Sequence, residues 1–532
     1  MTPSRTPLLA RSAGLTGAAT LTSRILGLLR DQVVAAIFGA GNDMDAFIVA
    51  FRVPNLVRDL FAEGAMSAAF IPTFTRRLTL GGKDDAWRLA SNLLSALIVI
   101  TAAFVVAGLL FARPLVTAYA ADFSRVPGKL ELTIQLTRVM LPFLTMVAVA
   151  AAVMGMLNSL HHYFVPALAP AMFNIATIVC ALVLVPLMPS IGLPRIAAIA
   201  MAALLGGVLQ VAVQWPALRR EGFRYRPAID VRDPGLREVL VLMGPGTIGL
   251  AATQVNLFVN TLLATSQGTG AVSWLSYAFR LMYLPIGLFG VSIATAALPA
   301  VSRDAAIDDA AGIRRTATLA MAMMLVLNVP ATLGLMALAD PIVRLLFERG
   351  HFTPTDTAST AAALRLYAIG LVGYATARIV SPIFYAVRMS RVPVAVSLCT
   401  IALNVAANVA LVRVMGFQGL ALGTSLSMLV NGGALLVLLG QRLGGIGGRS
   451  LAATFAKIVL AALAMAVVSA GVERFGAGVV KGTGGLAQAV VLCAAIGAGL
   501  ATLAAAARLL RIRELDDAIT AVRGRLTTKQ PA

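Results

Sequence analysis

Long charge-free stretches recur along the whole chain. Windows without any Asp, Glu, Lys or Arg occupy residues 89–112, 139–160, 164–194, 281–302, 316–339, 392–412, 414–440 and 482–507. A helix needs about 20 apolar residues to cross a hydrocarbon core of about 30 Å. Each window meets that length, so the pattern predicts an all-α polytopic membrane protein.

The apolar stretches, with the more polar ones between them, divide into about fourteen transmembrane helices. We place them at residues 13–40, 44–75, 88–112, 130–158, 161–188, 193–217, 238–266, 270–301, 315–346, 356–387, 392–412, 416–440, 451–471 and 485–508.

The positive charge of the chain has a topological explanation. Hydrophobic residues make up 59% of the 532 residues and charged residues only 12%, yet the net charge is +20. Lys and Arg concentrate at the termini and in the even-to-odd connections, such as residues 76–88 and 219–237. The positive-inside rule then places both termini in the cytoplasm. No soluble domain offers a basic face to nucleic acid, so no nucleic-acid partner is predicted.

An internal repeat organises the spans. Ala50-Phe51-Arg52 matches Ala278-Phe279-Arg280 at an offset of 228, so the second span corresponds to the eighth. A repeat of six helices keeps both halves in the same orientation, related by a pseudo-two-fold axis along the membrane normal. The pattern predicts two six-helix lobes plus two C-terminal helices. The predicted segments are a cytoplasmic N-terminus (1–12), an N-lobe (13–220), a cytoplasmic linker (221–237), a C-lobe (238–443), the last two helices (444–510) and a cytoplasmic tail (511–532).

Charged residues lie inside the first two spans and the eighth. A charge at mid-bilayer is costly unless it faces a partner, water or a ligand. Interhelical ion pairs or arginines that extend to the interface would explain Asp31, Asp59 and Arg52. They explain less well the four arginines without an obvious acid: Arg24, Arg30, Arg58 and Arg280. Guanidinium groups around a wet cavity suit an anionic substrate, above all a phosphate or diphosphate, which they bind bidentately.

The sequence shows few features of an enzyme or of a metal-binding site. The three cysteines lie far apart within predicted spans, and the three histidines lie near span boundaries. No metalloprotease, nucleophile-elbow or phosphate-loop motif is present. We predict no catalytic activity, no metal and no cofactor.

Several segments resemble the lipid II flippase family (MurJ/MviN) of bacterial peptidoglycan synthesis. They are SRILGLLRD (23–31), FGAGNDMDAF (38–47), FRVPNLVRDLFAEGAMSAAFIP (51–72), SYAFRLMYLPIGLFG (276–290) and LLFERGHFTPTDT (345–357). The resemblance implies the multidrug/oligosaccharidyl-lipid/polysaccharide (MOP) exporter fold, with a central cavity between two lobes and a lipid-facing groove at the last two helices. It implies a monomer in the bacterial cytoplasmic (inner) membrane. Its substrate would be undecaprenyl-diphosphate carrying the disaccharide–pentapeptide, moved from the inner to the outer leaflet by alternating access.

The resemblance also implies a binding site. Its cavity cations match Arg24, Arg30, Arg58 and Arg280, its acids match Asp45 and Glu63, and Ser23 and Asn55 lie in the same motifs as polar support. Arg24, Arg58 and Arg280 would clamp the diphosphate, and the two acids would pair with arginines in one conformation only. Arg30 fits this role least, because its face differs and Asp31 is adjacent.

A cation site found in some family members lacks its acidic ligands in this sequence. Its acids match Asn260 and Asn408, with Asn404 and Thr424 as neutral ligands. Without a carboxylate, a bound Na⁺ would lose its hydration with little compensation. The alternative role for Asn404 and Asn408 is hydrogen bonding between helices. We therefore predict no tight Na⁺ binding, and transport driven by the membrane potential or by protons at Asp45 or Glu63.

Other function classes stay open on the residues alone. A MATE-like small-molecule exporter of the same superfamily should have an acidic cavity, whereas these spans are basic. A flippase for another polyprenyl-diphosphate glycan would fit the arginines equally well, and only the family motifs speak against it. A non-transporting scaffold lacks a signalling domain, and a membrane glycosyltransferase lacks its carboxylate and metal motifs. Predicted partners are lipid II and membrane lipids.

Overall fold

The computed structural model describes residues 6–62, 65–445, 448–479 and 484–512. Side chains are not described at positions 6–16, 18, 56–62, 65–68, 244–253, 288–289, 291–292 and 449–450. The described residues form helices joined by short connections, and they contain no strand. The α-helices are α1 (Thr6–Phe38), α2 (Asn42–Ala62), α3 (Ala65–Leu80), α4 (Gly82–Leu110), α5 (Ala112–Ala120), α6 (Lys129–Met140), α7 (Phe143–Ser159), α8 (Phe164–Val183), α9 (Ala197–Arg220), α10 (Pro234–Thr265), α11 (Ala271–Pro285), α12 (Val291–Ala306), α13 (Ala310–Ala337), α14 (Ala339–Phe347), α15 (Pro354–Ile369), α16 (Leu371–Ala386), α17 (Arg391–Met415), α18 (Phe417–Arg442), α19 (Gly448–Val479) and α20 (Gly485–Leu509).

The structure confirms the prediction that long apolar stretches of the sequence form helices. Within the described ranges, nine helices are long and apolar enough to cross a membrane, or up to ten if a bent pair is one span. That pair is α15 and α16, which meet at an angle of 44° around Gly370. The helical class is therefore right, and the count of fourteen spans stays a prediction.

In each of the two spans that the repeat relates, the structure describes two helices. In the second span, α2 ends at Ala62 and α3 begins at Ala65. In the eighth, α11 ends at Pro285, a π-helical segment covers Ile286–Gly290, and α12 follows. The offset of 228 aligns Ala62, the last described residue of α2, with Gly290, the last residue of the π-helical segment.

Two compact units divide the chain. The first comprises residues 1–273 and 349–352, and the second comprises residues 274–348 and 353–532. The helix α10, which the sequence assigned to the C-lobe, lies in the first unit and packs against α3 and α5. The lobe boundaries predicted from the sequence differ here from the boundary of the compact units.

The first unit has an aromatic core near one end of its helices. Trp87 of α4 lies between Phe74 of α3 and Phe223 after α9, with ring centroids 5.7 and 5.2 Å apart. All three rings are buried. Burial of aromatic rings is a large favourable contribution to packing. The connection between α3 and α4 and the connection between α9 and α10 therefore pack against the same core.

Ion pairs lie over this core, at the end predicted to be cytoplasmic. Arg77 contacts Asp85 at 3.2 Å and Asp233 at 2.7 Å, and Asp233 also caps the first turn of α10. Glu221 contacts both His162 at 2.8 Å and Lys83 at 3.0 Å. Hydrogen bonds with His162 and Lys83 lower the pKa of the Glu221 carboxyl.

The second unit depends on close helix contacts through glycine. The helices α16 and α18 approach so closely that a Cβ added at Gly373 would lie 2.4 Å from the Met428 carbonyl oxygen. A Cβ at Gly432 would lie 2.5 Å from the Gly373 carbonyl oxygen. Small residues allow such backbone approach in membrane helices.

Candidate functional site

The first predicted cation, Arg24, lies on α1 (Thr6–Phe38). Its side chain is half-buried and has no hydrogen-bond or ion-pair partner among the described residues. The preceding residue, Ser23, is fixed through its backbone, because its carbonyl accepts a hydrogen bond from Asn174 Nδ2 of α8 at 3.0 Å. Arg24 is therefore a cation held at a defined place with its guanidinium uncommitted within the described residues.

Arg30 has a different environment, and the expectation that it lacks an acid is wrong. Its Nη2 donates to Asp31 Oδ1 at 2.8 Å, and its Nη1 donates to Asn174 Oδ1 at 3.0 Å. Its guanidinium carbon lies 5.6 Å from the centre of the Phe173 ring. The side chains of Arg30 and Asp31 are only 19% and 12% exposed. Arg30 therefore anchors α1 to α8, and its charge is compensated by its neighbour.

Asp45 is engaged in contacts that the sequence did not predict. Its carboxylate is fully buried and lies 2.9 Å from Lys129 Nζ at the start of α6. It also accepts hydrogen bonds from Gly270 N at 2.7 Å, from Ser273 N at 3.0 Å and from Ser273 Oγ at 2.7 Å. Lys129 in turn lies 4.1 Å from the centre of the Phe123 ring.

We call this arrangement of Asp45, Lys129, Gly270 and Ser273 the Asp45 node. Asp45 was expected to pair with an arginine, and in this structure its cationic partner is Lys129 instead. Sequence reasoning missed Lys129 because it lies at a helix start, outside the charged faces of the first two spans. The pairing joins residues that are 84 positions apart, and no local pattern signals it.

The other predicted residues of α2 are described only in part. Asn55 is half-buried, and its buried Oδ1 accepts no hydrogen bond from the described residues. Arg58 lies on α2, but its side chain is not described, and Glu63 lies outside the described residues. The structure therefore supports a polar face on α2 at Asn55 and leaves the roles of Arg58 and Glu63 as predictions.

In the second unit, Arg280 lies on α11 beside an aromatic cluster. It is half-buried. The adjacent Phe279 ring stacks on Tyr283 at 6.1 Å and meets the edge of Tyr367 at 5.5 Å. One helical turn after Arg280, the Tyr283 hydroxyl accepts a hydrogen bond from Arg378 Nη2 of α16 at 2.8 Å.

Arg378 is a further cation that sequence reasoning missed. It lies at the middle of α16 and is exposed. An exposed arginine at mid-span is stable only where it faces water or a polar ligand. The signal was present in the sequence, because Arg378 is the only charged residue between Arg365 and Arg388. Like Arg24 and Arg280, it is an arginine inside a predicted span without an obvious acidic partner in the sequence.

The candidate cation site consists of amide and hydroxyl groups that contact one another. Asn404 and Asn408 of α17 are buried, and Asn408 Nδ2 donates to Asn404 Oδ1 at 3.1 Å. One hydrogen bond of this pair therefore runs along a single helix, from Asn408 to Asn404. Thr424 Oγ1 donates to the Leu420 carbonyl of its own helix at 2.8 Å. Asn260 lies half-buried on α10, in the first unit.

Carboxylates and other metal ligands do not cluster in the described ranges. No group of three or more His, Cys, Asp or Glu side chains that could hold a metal ion is found there.

Comparison with known proteins identifies the family. The sequence model of the family described as "Lipid II flippase MurJ" matches residues 34–483. The chain is 34% identical to the probable lipid II flippase MurJ of Bdellovibrio bacteriovorus, over 94% of this chain and 96% of that protein. It is also 34% identical to the lipid II flippase MurJ of Burkholderia cenocepacia, over 80% of this chain and 82% of that protein.

Solved structures agree with these relatives. A lipid II flippase MurJ in an inward closed conformation superposes with a TM-score of 0.76 at 25% identity, covering 93% of this chain and 99% of that one. An inward-facing MATE family transporter of the MOP superfamily reaches a TM-score of 0.66 at 16% identity over 82% of this chain and 99% of that one, which shows the fold alone. The resemblance seen in the sequence motifs is thereby confirmed, and the chain belongs to the lipid II flippase MurJ family.

Proposed function

We propose that this protein moves lipid II from the inner to the outer leaflet of the bacterial cytoplasmic membrane. The observation that carries the proposal is the family match over residues 34–483, since the curated relatives in that family are named lipid II flippases. Lipid II joins an undecaprenyl chain to a disaccharide–pentapeptide through a diphosphate. Crossing the bilayer requires the protein to shield that polar, doubly charged group.

The arginines provide the shielding in this proposal. Arg24, Arg58 and Arg280 bind the diphosphate oxygens. A guanidinium matches two phosphate oxygens at once, which lysine cannot do. Arg378 of α16 adds a further cation, and it donates a hydrogen bond at 2.8 Å to the hydroxyl of Tyr283, which follows Arg280 by one helical turn on α11. Arg30 keeps α1 in register with α8 and leaves the binding to Arg24.

Alternating access follows from the same charges. Cations that line an empty cavity repel one another, and a bound diphosphate neutralises them. Substrate therefore favours closure because it binds the closed state better, and release on the far side favours reopening. The Asp45 node fits a latch of this cycle, because it fixes the α10–α11 connection, which we place at the outer surface.

The remaining features of the proposal concern topology and energy. We propose fourteen spans with both termini in the cytoplasm, and two six-helix lobes with α19 and α20 forming a lipid-facing groove. The protein acts as a monomer. Since Asn404, Asn408 and Asn260 supply no carboxylate, transport is driven by the membrane potential acting on the cavity charges, or by protons, with Glu63 as the acid that remains to receive them.

Complementation combined with lipid accessibility tests the proposal. In cells depleted of their own flippase, expression of this chain should restore growth and should restore the exposure of lipid II to an enzyme added outside the membrane. Growth without restored exposure would contradict lipid II flipping. Restored exposure of a different polyprenyl-diphosphate glycan, with lipid II unchanged, would support the alternative substrate.

A further inference from the structure

A groove of the second unit combines arginines with an apolar floor. It has a volume of about 690 Å³ and lies between the end of α16, the start of α17 and the end of α18. Arg391, Gln441 and Arg442 form its polar rim, and all three are exposed. Val392, Val396 and Leu438 line the floor. We call this feature the rim groove.

Within the described part of the chain, no acidic side chain pairs with the two arginines of the rim groove. Neither Arg391 nor Arg442 forms an ion pair or hydrogen bond with any described residue. The sequence from Thr357 to Val472, which contains both arginines, has no Asp or Glu at all. The first turn of α17 adds little to this, because Val392 N already donates to the Met389 carbonyl and Pro393 has no N–H. The positive charge of the rim therefore comes from Arg391 and Arg442, and an anion is the ligand that it favours.

The position of the rim groove selects the class of anion. Its residues lie at the ends of membrane-length helices, where an apolar surface meets the aqueous boundary. The floor continues from the arginines along Val392, Val396 and Leu438 toward the interior of the span. A free phosphate would leave that apolar floor unused, whereas a phospholipid would place its phosphate on the rim and an acyl chain on the floor.

We propose that the rim groove binds an anionic glycerophospholipid of the leaflet at this end of the helices, which the positive-inside rule identifies as the cytoplasmic one. Basic pockets between membrane helices on the cytoplasmic side recognise anionic head groups by this chemistry. The site is separate from the proposed diphosphate clamp, and its arginines are not among the clamp residues. The protein thereby carries a bound lipid of the membrane in addition to its substrate.

Native mass spectrometry of the full chain tests the proposal. Phosphatidylglycerol is titrated against phosphatidylcholine, with the wild type and the double variant Arg391→Gln/Arg442→Gln. Each arginine near a surface attracts an anionic lipid by roughly 1 kcal/mol, so we expect the double variant to bind phosphatidylglycerol about 30-fold more weakly. The matched control is Arg413→Gln, which removes an exposed arginine from the opposite end of α17 and should bind as the wild type does.

A third variant tests the floor independently of charge. Val396→Phe fills the groove without changing the rim, and it should also reduce phosphatidylglycerol binding. Equal binding by the double variant and the Arg413→Gln control would overturn the proposal. Displacement of the lipid by inorganic phosphate or glycerol 3-phosphate at millimolar concentration would also overturn it, because it would assign the rim to a small free anion.

Discussion

Arg24 and Arg30 lie six residues apart on one helix and have opposite roles. Arg30 is surrounded by Asp31, Asn174 and the Phe173 ring, whereas Arg24 has no hydrogen-bond partner among the described residues. A guanidinium that is already neutralised has little affinity left for a further anion. The environment of each arginine, rather than its presence in a motif, therefore supports the proposal that Arg24 binds the substrate and Arg30 positions α1.

Substitution of Arg24 and Arg280 tests this assignment. Arg24→Ala and Arg280→Ala should each abolish complementation while the protein stays at near-normal levels in the membrane. Arg24→Lys should rescue only partly, because lysine binds a diphosphate as a point charge. Arg30→Ala is the contrasting variant, and it should lower the amount of protein because Asp31 loses its counter-ion. Immunoblots of membranes beside growth assays separate the two effects. If Arg24→Ala protein disappears from the membrane, Arg24 is structural.

The Asp45 node gives a second prediction at the level of single residues. Lys129→Met leaves the Asp45 carboxylate buried without its cation, which should destabilise the protein by about 3–5 kcal/mol. The double variant Asp45→Asn/Lys129→Met removes both charges and should recover much of that loss. Thermal unfolding in detergent measures both. Equal stability of Lys129→Met and the wild type would show that the pair contributes nothing to the fold.

Helix contacts through glycine set the packing of the second unit at the scale of elements. Gly432 and Gly433 are neighbours on α18, yet only Gly432 faces α16. A Cβ at Gly432 would lie 3.0 Å from the Thr376 Cβ as well as 2.5 Å from the Gly373 carbonyl oxygen. A Cβ at Gly433 would meet no atom within 4 Å. The two positions form a matched pair for testing this interface.

Gly432→Ala should lower stability and Gly433→Ala should not. Overpacking of a close contact costs about 1–3 kcal/mol. Alanine at an open helical position instead gains up to about 1 kcal/mol in helix propensity. Melting temperatures of the two purified variants give the comparison. A lower melting temperature for Gly433→Ala than for Gly432→Ala would contradict the described α16–α18 contact.

The ion pairs of Glu221 in the first unit predict a pH effect. The pKa of Glu221 is lowered from 4.5 in the folded protein, so its ion pairs stabilise the fold above about pH 4.5. That contribution should be lost as the pH falls through the lowered pKa. Glu221→Gln cannot titrate, so its melting temperature should decline less than that of the wild type below pH 4.5. Parallel curves for the two proteins would rule out a contribution from this carboxyl.

The positions of most long helices could be predicted from the sequence, but the bend within a predicted span could not. Hydrophobic windows identify the helices because length and apolar content are local properties. The bend at Gly370 lies inside the predicted span 356–387, and the composition of that span does not indicate it. Lys129 escaped notice for a related reason, because its partner Asp45 is distant along the chain. Arg378 shows the opposite case, in which the signal was local and was overlooked.

At the scale of the whole molecule, the proposed energy source of transport follows from two groups of residues: the neutral asparagines of the candidate cation site and the charged arginines within the spans. Asn404 and Asn408 present neutral carboxamides that already bond to each other at 3.1 Å. Na⁺ would have to displace that bond and would meet no carboxylate from these two residues. The arginines, by contrast, carry positive charge within the spans, where a potential of 100 mV acts with about 2.3 kcal/mol on each charge that crosses it.

Flipping should therefore persist without sodium. In cells or vesicles with Na⁺ replaced by choline at constant voltage, lipid II accessibility should stay near its normal value. Collapse of the voltage at constant Na⁺ should reduce it. A loss of activity in choline that Na⁺ restores in a saturable way would contradict the prediction.

The Asp45 node also has a consequence for biosynthesis. Its carboxylate bonds to the N–H groups of Gly270 and Ser273, which are the position before α11 and the third residue of that helix, as a capping side chain would. Asp45 leaves the ribosome 84 residues before Lys129 and 228 residues before Ser273. The counter-ion therefore arrives long before the helix terminus that the carboxylate caps. Asp45 and Lys129 can therefore pair before the N–H groups of Gly270 and Ser273 are synthesised, so the carboxylate is in place when the helix of Arg280 emerges.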